Sequence, residues 1–462
     1  MTDKPNIILV NCDDLGYGDL GCYGSERNDT PNLDKLASEG MRFTDYYVVS
    51  PVCSASRAGM MTGCYSQRIG FANYQVLFPG QPRGLNPDET TIADQLKSIG
   101  YNTKIIGKWH CGDQPDFLPT SHGFDEYFGI PFSNDMGRQI NRLDTPPLPL
   151  MRNAEVIQQQ PDQRGITERY VDEALQFMRK NSDEPFFLYL AHMYVHVPLF
   201  IPKQFLECSR NGAYGGAVAC IDWAMAMIEA ELERLGMKDD TIVIFTSDNG
   251  SRARDEGGSN APLRGTKAQT WEGGQRVPFI IRWPGKIEAG TTSSGIASSM
   301  DLFATISDVL NIPLPEAKID SISMKNTLFN GDDSQRDEFA YYKDSVLEAI
   351  RKGDWKLHFA KTGWCPDPNE LGDKVMNELY NLRDDIGETN NLFDEKPEIV
   401  AELNAVADKY RKMFGDALNN IEGEEVRPCG FCEDAKPLTE YDEHHPYMIA
   451  YYDLADMPTM SG

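Results

Sequence analysis

The most regular hydrophobic feature of the chain is a set of short apolar runs that end in small or acidic residues. Runs of this length, without alternating polar positions, are typical of strands that are buried on both faces of a sheet. The sequence therefore predicts strands at residues 7–10, 103–106, 186–191, 242–245 and 278–281.

Segments with helical spacing separate these runs. In residues 215–235, for example, Ile221, Met225, Ile228 and Leu232 recur at intervals of three or four. Further helices are predicted at residues 32–39, 91–98 and 166–180. Alternating strands and helices predict an α/β fold, with a large, mostly parallel sheet sandwiched by helices. Binding sites in such folds lie beyond the carboxyl ends of the strands.

The pattern changes after residues 301–306, which we interpret as a last helix on this sheet. Short alternating strands are predicted at 339–342 and 355–359, followed by a helix at 397–414. We predict three segments: an α/β domain that carries the candidate site at residues 1–320, a smaller α+β subdomain with a small antiparallel sheet at 321–420, and an acidic, aromatic tail at 421–462 that packs on the first domain.

Two pairs of oxygen-bearing residues follow predicted strands. Asp13 and Asp14 come shortly after the first run, and Asp248 and Asn249 come shortly after residues 242–245. Three carboxylates and an amide oxygen form a ligand set for a hard divalent cation, with Ca²⁺ the best fit and Mg²⁺ second. Either pair alone is more simply a helix N-cap or a turn. Because both follow buried strands, the joint pattern favours a metal site.

A cysteine opens the most specific stretch of the sequence, residues 53–63 (CSASRAGMMTG). Serine and small residues there predict a helix with Cys53 near its N-terminus, where backbone N–H groups stabilise negative charge. Arg57 lies four residues later, on the same helix face. A buried cysteine and a surface arginine are the ordinary alternative, which the neighbouring motifs disfavour.

Cations and imidazoles follow other predicted strands. Lys108 and His110 come after residues 103–106, and His196 lies in a loop after residues 186–191. Lys267 precedes the strand at 278–281. Each alone is more often a core histidine or a solvated lysine. Together they predict one sheet edge that gathers acids, cations and imidazoles.

These motifs resemble the signature blocks of the type I sulfatases, the formylglycine-dependent branch of the alkaline phosphatase superfamily, and most of all the arylsulfatase A-like members. The blocks are residues 11–20 (NCDDLGYGDL), 53–57 (CSASR), 107–110 (GKWH), 247–250 (SDNG) and 263–278 (LRGTKAQTWEGGQRVP). A weaker resemblance continues through 353–357 (GDWKL) and 378–382 (ELYNL). It implies an alkaline phosphatase-like fold and the hydrolysis of sulfuric esters.

The resemblance also implies a role for each candidate. Cys53 would be oxidised to formylglycine, whose hydrate is a geminal diol. Calcium would be held by Asp13, Asp14, Asp248, Asn249 and an oxygen of residue 53. Arg57 and Lys108 would stabilise the deprotonated diol, and His110 would bond its second hydroxyl. Lys267 and His196 would grip the sulfate and the leaving oxygen.

Sulfate ester cleavage explains why such residues are needed. The bond to the leaving oxygen is largely broken at the transition state, so that catalysis depends on positioning and on fixed positive charge. By the resemblance, one diol oxygen attacks sulfur, and the leaving alkoxide is protonated by His196 as general acid, either alone or together with Lys267. His110 then takes the proton of the remaining hydroxyl, so that the aldehyde re-forms and sulfate is expelled.

One position departs from the family motif. Proline is usual two residues after the modified cysteine, whereas this chain has Ala55. Alanine is tolerated where a radical maturase of anaerobic bacteria forms the aldehyde in the cytoplasm, and we expect such an enzyme as a partner. The first ten residues lack the features of a secretory signal, so we expect a cytoplasmic protein.

Composition narrows the choice of ligand. The 462 residues carry 44 Lys and Arg against 71 Asp and Glu, a formal net charge of −27. This charge argues against nucleic acid as a partner and would repel a long polyanion. Residues 185–202 form the longest uncharged stretch, but its prolines and histidines argue against a membrane span. We expect an exo-acting enzyme on a small sulfated sugar.

Weaker signals lie outside these blocks. By resemblance, Ser133, Asn134 and Asp135 line the substrate pocket, as do Arg138 and residues 252–254, although an ordinary polar turn explains them equally well.

Two thiols in the tail form a separate signal. Cys429 and Cys432, with His444 and His445 downstream, suggest a zinc or redox site, but the adjacent histidines lack the usual spacing. A tail loop with two thiols is the preferred interpretation. The ten cysteines of the whole chain are too sparse for a disulfide scaffold.

Two other functions stay open at this point. One is a formylglycine-dependent phosphodiesterase or phosphonate hydrolase of the same superfamily. The other is a pseudoenzyme in which Cys53 stays a thiol and the pocket only binds sulfated ligands.

Overall fold

The strands and helices come from a computed structural model that describes residues 4–139, 141–361 and 374–445. Parts of two predicted segments, 362–373 in the subdomain and 446–462 in the tail, lie outside the described residues. The strands are β1 (Asn6–Cys12), β2 (Met41–Phe43), β3 (Tyr46–Tyr47), β4 (Arg83–Gly84), β5 (Asn102–Gly107), β6 (Glu126–Gly129), β7 (Pro149–Arg152), β8 (Glu155–Gln159), β9 (Phe186–Ala191), β10 (Thr241–Ser247), β11 (Phe279–Arg282), β12 (Thr291–Ser293), β13 (Ala297–Ser298), β14 (Glu338–Lys343), β15 (Val346–Lys352), β16 (Trp355–Lys361), β17 (Lys374–Asn381), β18 (Gly415–Asp416), β19 (Ile421–Glu422) and β20 (Gly430–Phe431). The α-helices are α1 (Pro31–Ser38), α2 (Cys53–Thr62), α3 (Ile92–Ser98), α4 (Ile166–Lys180), α5 (Lys203–Cys208), α6 (Gly212–Leu235), α7 (Glu272–Gln275), α8 (Asp301–Leu310), α9 (Lys325–Asn330) and α10 (Pro397–Phe414).

A large mixed sheet organises the first part of the chain, in the order β12-β2-β11-β10-β1-β9-β5-β6-β7-β8. Its five central strands, β10, β1, β9, β5 and β6, run parallel. The flanks are largely antiparallel, through β11 on one side and β7 and β8 on the other. The predicted α/β class with helices on both faces is confirmed, and the parallel order holds in the centre where the acidic residues follow β1 and β10.

Burial on both faces explains why the sequence of β1 contains a continuous run of apolar residues. Ile7 and Leu9 point into one core with α2, α3 and α8, whereas Ile8 and Val10 point into a second core with α1, α4 and α6. Successive side chains of a strand alternate between faces, so each face needs its own apolar set. Helices therefore cover both faces of the sheet.

Local sequence fixes several helix ends. Helices α4 and α10 have the predicted bounds. Helix α3 starts after Thr91, whose side chain accepts a hydrogen bond from Asp94 N, while Asp94 accepts one from Thr91 N. This reciprocal capping satisfies two N–H groups at the helix start. Within the described ranges, no helix combines the length and apolarity needed to cross a membrane.

A second, antiparallel sheet, β14-β15-β16-β17, lies in the C-terminal part and packs against α10. Its apolar core includes Tyr47 and Tyr65 from the first part of the chain, beside Phe339 and Tyr341. Strand β20 of the tail pairs with β4. The second sheet and the tail thus both contact the first part of the chain, while the predicted boundaries at 320 and 420 stay a prediction.

Candidate active site

Two acidic loops meet where β1 and β10 end. Asp248 N donates to Cys12 O over 3.0 Å, and Asp14 N donates to Asp248 Oδ1 over 3.2 Å. Asn249 Nδ2 donates to Asp14 Oδ1 over 2.7 Å. The parallel pairing of the two strands thus places Asp13, Asp14, Asp248 and Asn249 together, all buried.

Unpaired oxygen atoms mark this cluster. Among the described residues, Asp13 Oδ1 and Asn249 Oδ1 are buried and have no hydrogen-bond partner. Ligand atoms of Asp13, Asp14 and His196 lie within 4.8 Å of one another, close enough to share a metal ion. Buried polar atoms are nearly always paired in native proteins, so these oxygens are candidate ligands for a cation.

Cys53 is the first residue of helix α2 and is only 2% exposed. Burial raises the pKa of its thiol, and the nearby charges of Lys108 and Lys267 act against that rise. One turn later, Arg57 Nε donates to Asp248 Oδ2 over 2.8 Å, and its Nη1 donates to Lys108 O over 2.8 Å. Helix geometry therefore places the thiol and the guanidinium beside the same acidic loops.

Two lysines face the carboxylates. Lys108 Nζ donates to Asp13 Oδ2 and to Ser133 Oγ, both over 2.6 Å, and Lys267 Nζ lies 2.9 Å from Asp14 Oδ1. Burial alone would lower the pKa of Lys108, but Asp13 raises it above the ordinary value. Burial alone would raise the pKa of Asp13, but Lys108 and other neighbouring cations hold it well below the ordinary value. All these groups are therefore charged near neutral pH.

Asp248 differs from the other two carboxylates. Burial raises its pKa to about 6, although Arg57 acts in the opposite direction. The single guanidinium thus compensates only part of the cost of burying this charge. A further cation beside Asp248 would complete the compensation.

His110 presents one free ring nitrogen. Its Nε2 lies 2.9 Å from Leu77 O, so the proton is assigned to Nε2, which donates to that carbonyl. Its Nδ1 is buried without a hydrogen-bond partner in the described part of the chain. Burial first, and then Lys108, lower the pKa of His110 well below its ordinary value. The ring is therefore neutral, with a lone pair on Nδ1.

The ring of His196 is held in place by contacts on its Nδ1 side. Its Nδ1 lies 2.6 Å from Val197 O and 3.1 Å from Asn134 Oδ1, while its Nε2 lies 4.0 Å from Asp14 Oδ2. Asn134 is fixed in turn, because its Nδ2 donates to Gln163 Oε1 and to Pro198 O, each over 3.0 Å. Burial and Lys267 lower the pKa of His196. The second ring nitrogen is thus directed toward the acidic cluster.

A cavity of about 400 Å³ opens onto this cluster, and its wall includes Cys53, His196 and Lys267. Ser133 and Asp135 also line it, as the sequence predicts, whereas Asn134 lies behind His196 and is absent from the lining. A larger cavity of about 780 Å³ near Arg27 contains none of the predicted site residues.

Four polar lining residues have no counterpart in the sequence predictions: Asn73, Gln75, Lys343 and Asp344. Asn73 and Gln75 follow α2, Lys343 is the last residue of β14, and Asp344 begins the turn to β15. Neither segment carries a recognisable motif. A search for amide side chains in the segment that follows α2 would have included Asn73 and Gln75.

Other candidates lie elsewhere. Arg138 and Arg252 are not part of the cavity wall, and the Arg138 guanidinium lies over the Tyr441 ring. Cys429 and Cys432 are free thiols, and neither belongs to a metal-type cluster within the described ranges. The preferred interpretation of these residues as a tail loop with two thiols stays a prediction.

Comparisons with known proteins identify the family of this chain. Residues 5–312 match the family model described as Sulfatase, and residues 334–433 match the C-terminal region of aryl-sulfatase. Arylsulfatase A of Homo sapiens is 37% identical over 423 residues, which cover 84% of this chain and 83% of the relative. N-acetylgalactosamine-6-sulfatase of Rattus norvegicus is 40% identical over 375 residues, 77% of this chain and 71% of the relative.

A solved structure adds the fold to these sequence matches. A sulfatase from Pseudoalteromonas sp. has a TM-score of 0.78 at 28% identity, covering 88% of this chain and 91% of that protein. The family models together span most of the chain, and the relatives exceed 30% identity over more than two thirds of it. This chain therefore belongs to the sulfatase family and is a hydrolase of sulfuric esters.

Proposed function

We propose that this sulfatase removes sulfate from a small carbohydrate sulfate, acting on the end of its substrate, with formylglycine at position 53 and Ca²⁺ beside it. The position of Cys53 carries the proposal. Its side chain lines the cavity at the start of α2, where the charges of Lys108 and Lys267 act on it. That one relative is an N-acetylgalactosamine-6-sulfatase supports a sugar sulfate.

The donor set fits a calcium ion. Residues that would hold the ion are Asp13, Asp14, Asp248, Asn249 and residue 53. Asp13 Oδ1 and Asn249 Oδ1 are buried oxygens that lack a hydrogen-bond partner among the described residues, which suits an oxygen-seeking cation. Bound calcium supplies positive charge for the sulfate oxygens. His196 lies close enough to be a ligand, but an imidazole suits softer metals better.

Formylglycine at position 53 supplies a hydrated aldehyde, with one hydroxyl for attack on sulfur and a second that permits sulfate release. The surrounding chain prepares this chemistry. Residue 53 lies at a helix N-terminus, where backbone N–H groups favour negative charge. Arg57 Nη2 is buried and has no hydrogen-bond partner in the described part of the chain, so it is available to an oxygen anion.

Lys108 and Lys267 provide fixed positive charge on the cavity side. Both are buried and stay protonated because carboxylates raise their pKa values. Fixed donors cost no reorganisation when negative charge moves toward the leaving oxygen. We assign Lys108 to the nucleophilic oxygen, and Lys267 to the sulfate group.

The two histidines are assigned opposite proton transfers. The Nδ1 lone pair of neutral His110 accepts a proton from a hydroxyl on residue 53. His196 keeps the Nδ1 proton on Val197 O and, when protonated at Nε2, donates to the leaving oxygen. The negative charge of a bound sulfate ester favours the protonated form of His196 and so opposes the burial that lowers its pKa.

We also propose that a radical maturase of the anaerobic type forms the aldehyde. Ala55 supports this, because it stands where the oxygen-dependent pathway usually finds proline. Coexpression with each type of maturase, followed by quantification of aldehyde at residue 53, tests it. Equal or better conversion by the oxygen-dependent enzyme would contradict the proposal.

Mass analysis of the peptide that contains residue 53 is the direct test. We expect the mass of an aldehyde and a hydrazine adduct, both absent in Cys53→Ala and present in Cys208→Ala, which removes an exposed thiol outside the cavity. Hydrolysis of p-nitrophenyl sulfate should follow the same pattern. An unmodified thiol in active protein, or faster cleavage of phosphate diesters than of sulfate esters, would reject the proposed function.

A further inference from the structure

Gln75 is fixed against the helix that carries residue 53. Its carbonyl oxygen accepts hydrogen bonds from Ser54 N over 3.0 Å and from Ala55 N over 3.3 Å. Ser54 Oγ accepts from Leu77 N over 3.0 Å. The first turn of α2 and residues 75–77 therefore hold each other, so the backbone of Gln75 has a defined position relative to residue 53.

Gln75 lines the cavity and has an unused donor on its side chain. It is 7% exposed, and its Nε2 has no hydrogen-bond partner in the described part of the chain. A buried, unpaired amide donor costs about 1–3 kcal/mol, so native proteins rarely keep one without a use. An acceptor oxygen of a bound molecule would satisfy it.

The turn between β14 and β15 contributes to the same cavity. Asp344 takes a positive φ of 50°, and its carbonyl oxygen accepts from Gln67 Nε2 over 3.0 Å. Lys343, the last residue of β14, precedes it, and its positive charge opposes the rise that burial causes in the pKa of the Asp344 carboxyl group. The turn is thereby anchored to the first part of the chain, although it belongs to the second sheet.

Charges on the wall indicate what the cavity accepts beside sulfate. Lys267 and His196 lie beside the acidic cluster and serve the sulfate group in the proposed function. The remaining charged residues of the described lining are Asp135, Asp344 and Lys343. Because Lys343 offsets one carboxylate, this part of the wall carries a net negative charge.

We infer that Gln75 Nε2 donates a hydrogen bond to a hydroxyl or ring oxygen of the sugar, and that the cavity selects a monosulfated sugar whose remainder is uncharged. A second sulfate or a carboxylate would lie among carboxylates, which is unfavourable. The inference rests on the proposed sulfatase function. It adds a specificity-determining residue and a charge class of substrate.

The test uses the full-length, aldehyde-containing enzyme on p-nitrophenyl sulfate, which has no hydroxyl group, and on a panel of mono- and disulfated galactose, glucose, N-acetylgalactosamine and N-acetylglucosamine. For Gln75→Ala and the isosteric Gln75→Glu, we expect kcat/KM on the best sugar, divided by kcat/KM on p-nitrophenyl sulfate, to fall about tenfold or more. Gln176→Ala, an exposed glutamine on α4, should leave the ratio as in the wild type.

A second variant tests charge selection. Asp344→Asn keeps the positive φ, which asparagine tolerates, and removes the carboxylate beside Lys343. We expect the preference for monosulfated over disulfated sugar to shrink about threefold or more.

The outcomes separate the two claims. No hydrolysis of p-nitrophenyl sulfate by protein with aldehyde at residue 53 means that the proposed function fails. If that ester is hydrolysed, three results overturn the present inference alone. They are an unchanged ratio in both Gln75 variants, faster cleavage of disulfated than of monosulfated sugars, and no cleavage of any sugar in the panel.

Discussion

Two buried charge clusters in this protein differ in how completely they are paired. The active-site cluster comprises Asp13, Asp14, Asp248, Arg57, Lys108 and Lys267. The junction cluster, where the second sheet meets α7, comprises Glu272, Arg276, Lys356, His358 and Glu388. Both clusters are almost fully shielded from solvent.

Among the described residues, no buried polar side-chain atom of the junction cluster lacks a hydrogen-bond partner. Lys356 Nζ donates to Thr270 O over 2.8 Å and to Glu272 Oε1 and Glu388 Oε1, each over 2.9 Å. Glu388 Oε2 accepts from Glu272 N over 2.8 Å. Its Oε1 also faces His358 Nε2 at 2.9 Å. The three protons of the ammonium group thus meet three acceptors.

The active-site cluster retains unpaired atoms although its charges are as deeply buried. Asp13 Oδ1 and Arg57 Nη2 lie 3.9 Å apart, too far for a hydrogen bond, and both lack other partners among the described residues. A complete network holds elements together, whereas an incomplete one is kept for a ligand. The difference favours a structural role for the junction cluster and, for the other cluster, the chemical role proposed above.

Removal of Lys356 should have the largest effect, and on stability. Lys356→Met keeps the volume but leaves Glu272 and Glu388 without their shared cation, so we expect a loss of about 3–5 kcal/mol in the free energy of unfolding. Urea denaturation measures it. Lys352→Met removes a partly exposed pair with Glu402 and should cost about 1 kcal/mol or less. Equal losses in the two variants would refute the special role of the junction cluster.

Removal of Lys108 should affect catalysis instead. Lys108→Met deletes a fixed cation beside residue 53, and we expect kcat on p-nitrophenyl sulfate to fall about 10²–10³-fold. Lys104→Met is the matched control, because Lys104 is also buried and lies on β5, but pairs with Glu173 away from the cavity. It should lower stability and leave kcat within about twofold. A loss of less than tenfold in Lys108→Met would contradict the assignment.

Strand ends explain why much of the active-site cluster is predictable. A buried strand needs apolar residues, so the acids after β1 and β10 stand out, and parallel strands bring such ends to one edge. The direction of β11 is not predictable in this way. Its apolar run indicates burial but not orientation, and the strand proves antiparallel to β10.

Residues placed by long-range packing escape prediction. Asn134 is expected in the substrate pocket but lies behind His196, because its amide is held by Gln163 and Pro198. Gln75 reaches the cavity through hydrogen bonds to α2, and Lys356 meets Glu272 only when the second sheet packs on α7. The spacing of residues along the sequence does not predict these contacts, because they form only in the tertiary structure.

Calcium should affect the two clusters differently, because it would pair the unpaired oxygens of the active-site cluster and leave the junction cluster unchanged. At a free concentration of about 100 times its Kd, we expect Ca²⁺ to raise the free energy of unfolding by about 2.7 kcal/mol relative to protein in EDTA. Asp13→Asn should abolish most of this gain. Asp222→Asn changes a buried aspartate that accepts from Leu33 N at the start of α1, and should retain it. An unchanged gain in Asp13→Asn would place the ion elsewhere.

The smallest effect concerns His358 and pH. Burial first, and then Lys356, lower the pKa of His358, so the folded protein keeps this ring neutral where the unfolded chain, with a pKa near 6.5, binds a proton. The contribution of His358 to the free energy of unfolding is therefore fully present above about pH 6.5. Below that pH it is lost at up to about 1.4 kcal/mol per pH unit.

A variant isolates this contribution from that of other titrating groups. His358→Gln cannot take up the proton and can still donate to Glu388, so the gap in unfolding free energy between wild type and variant should narrow as the pH falls from 7.5 to 5.5. Urea denaturation at each pH measures the gap. A constant gap would mean that His358 binds its proton equally well in the folded and unfolded protein. The junction cluster would then accept the positive charge of His358 in addition to that of Lys356.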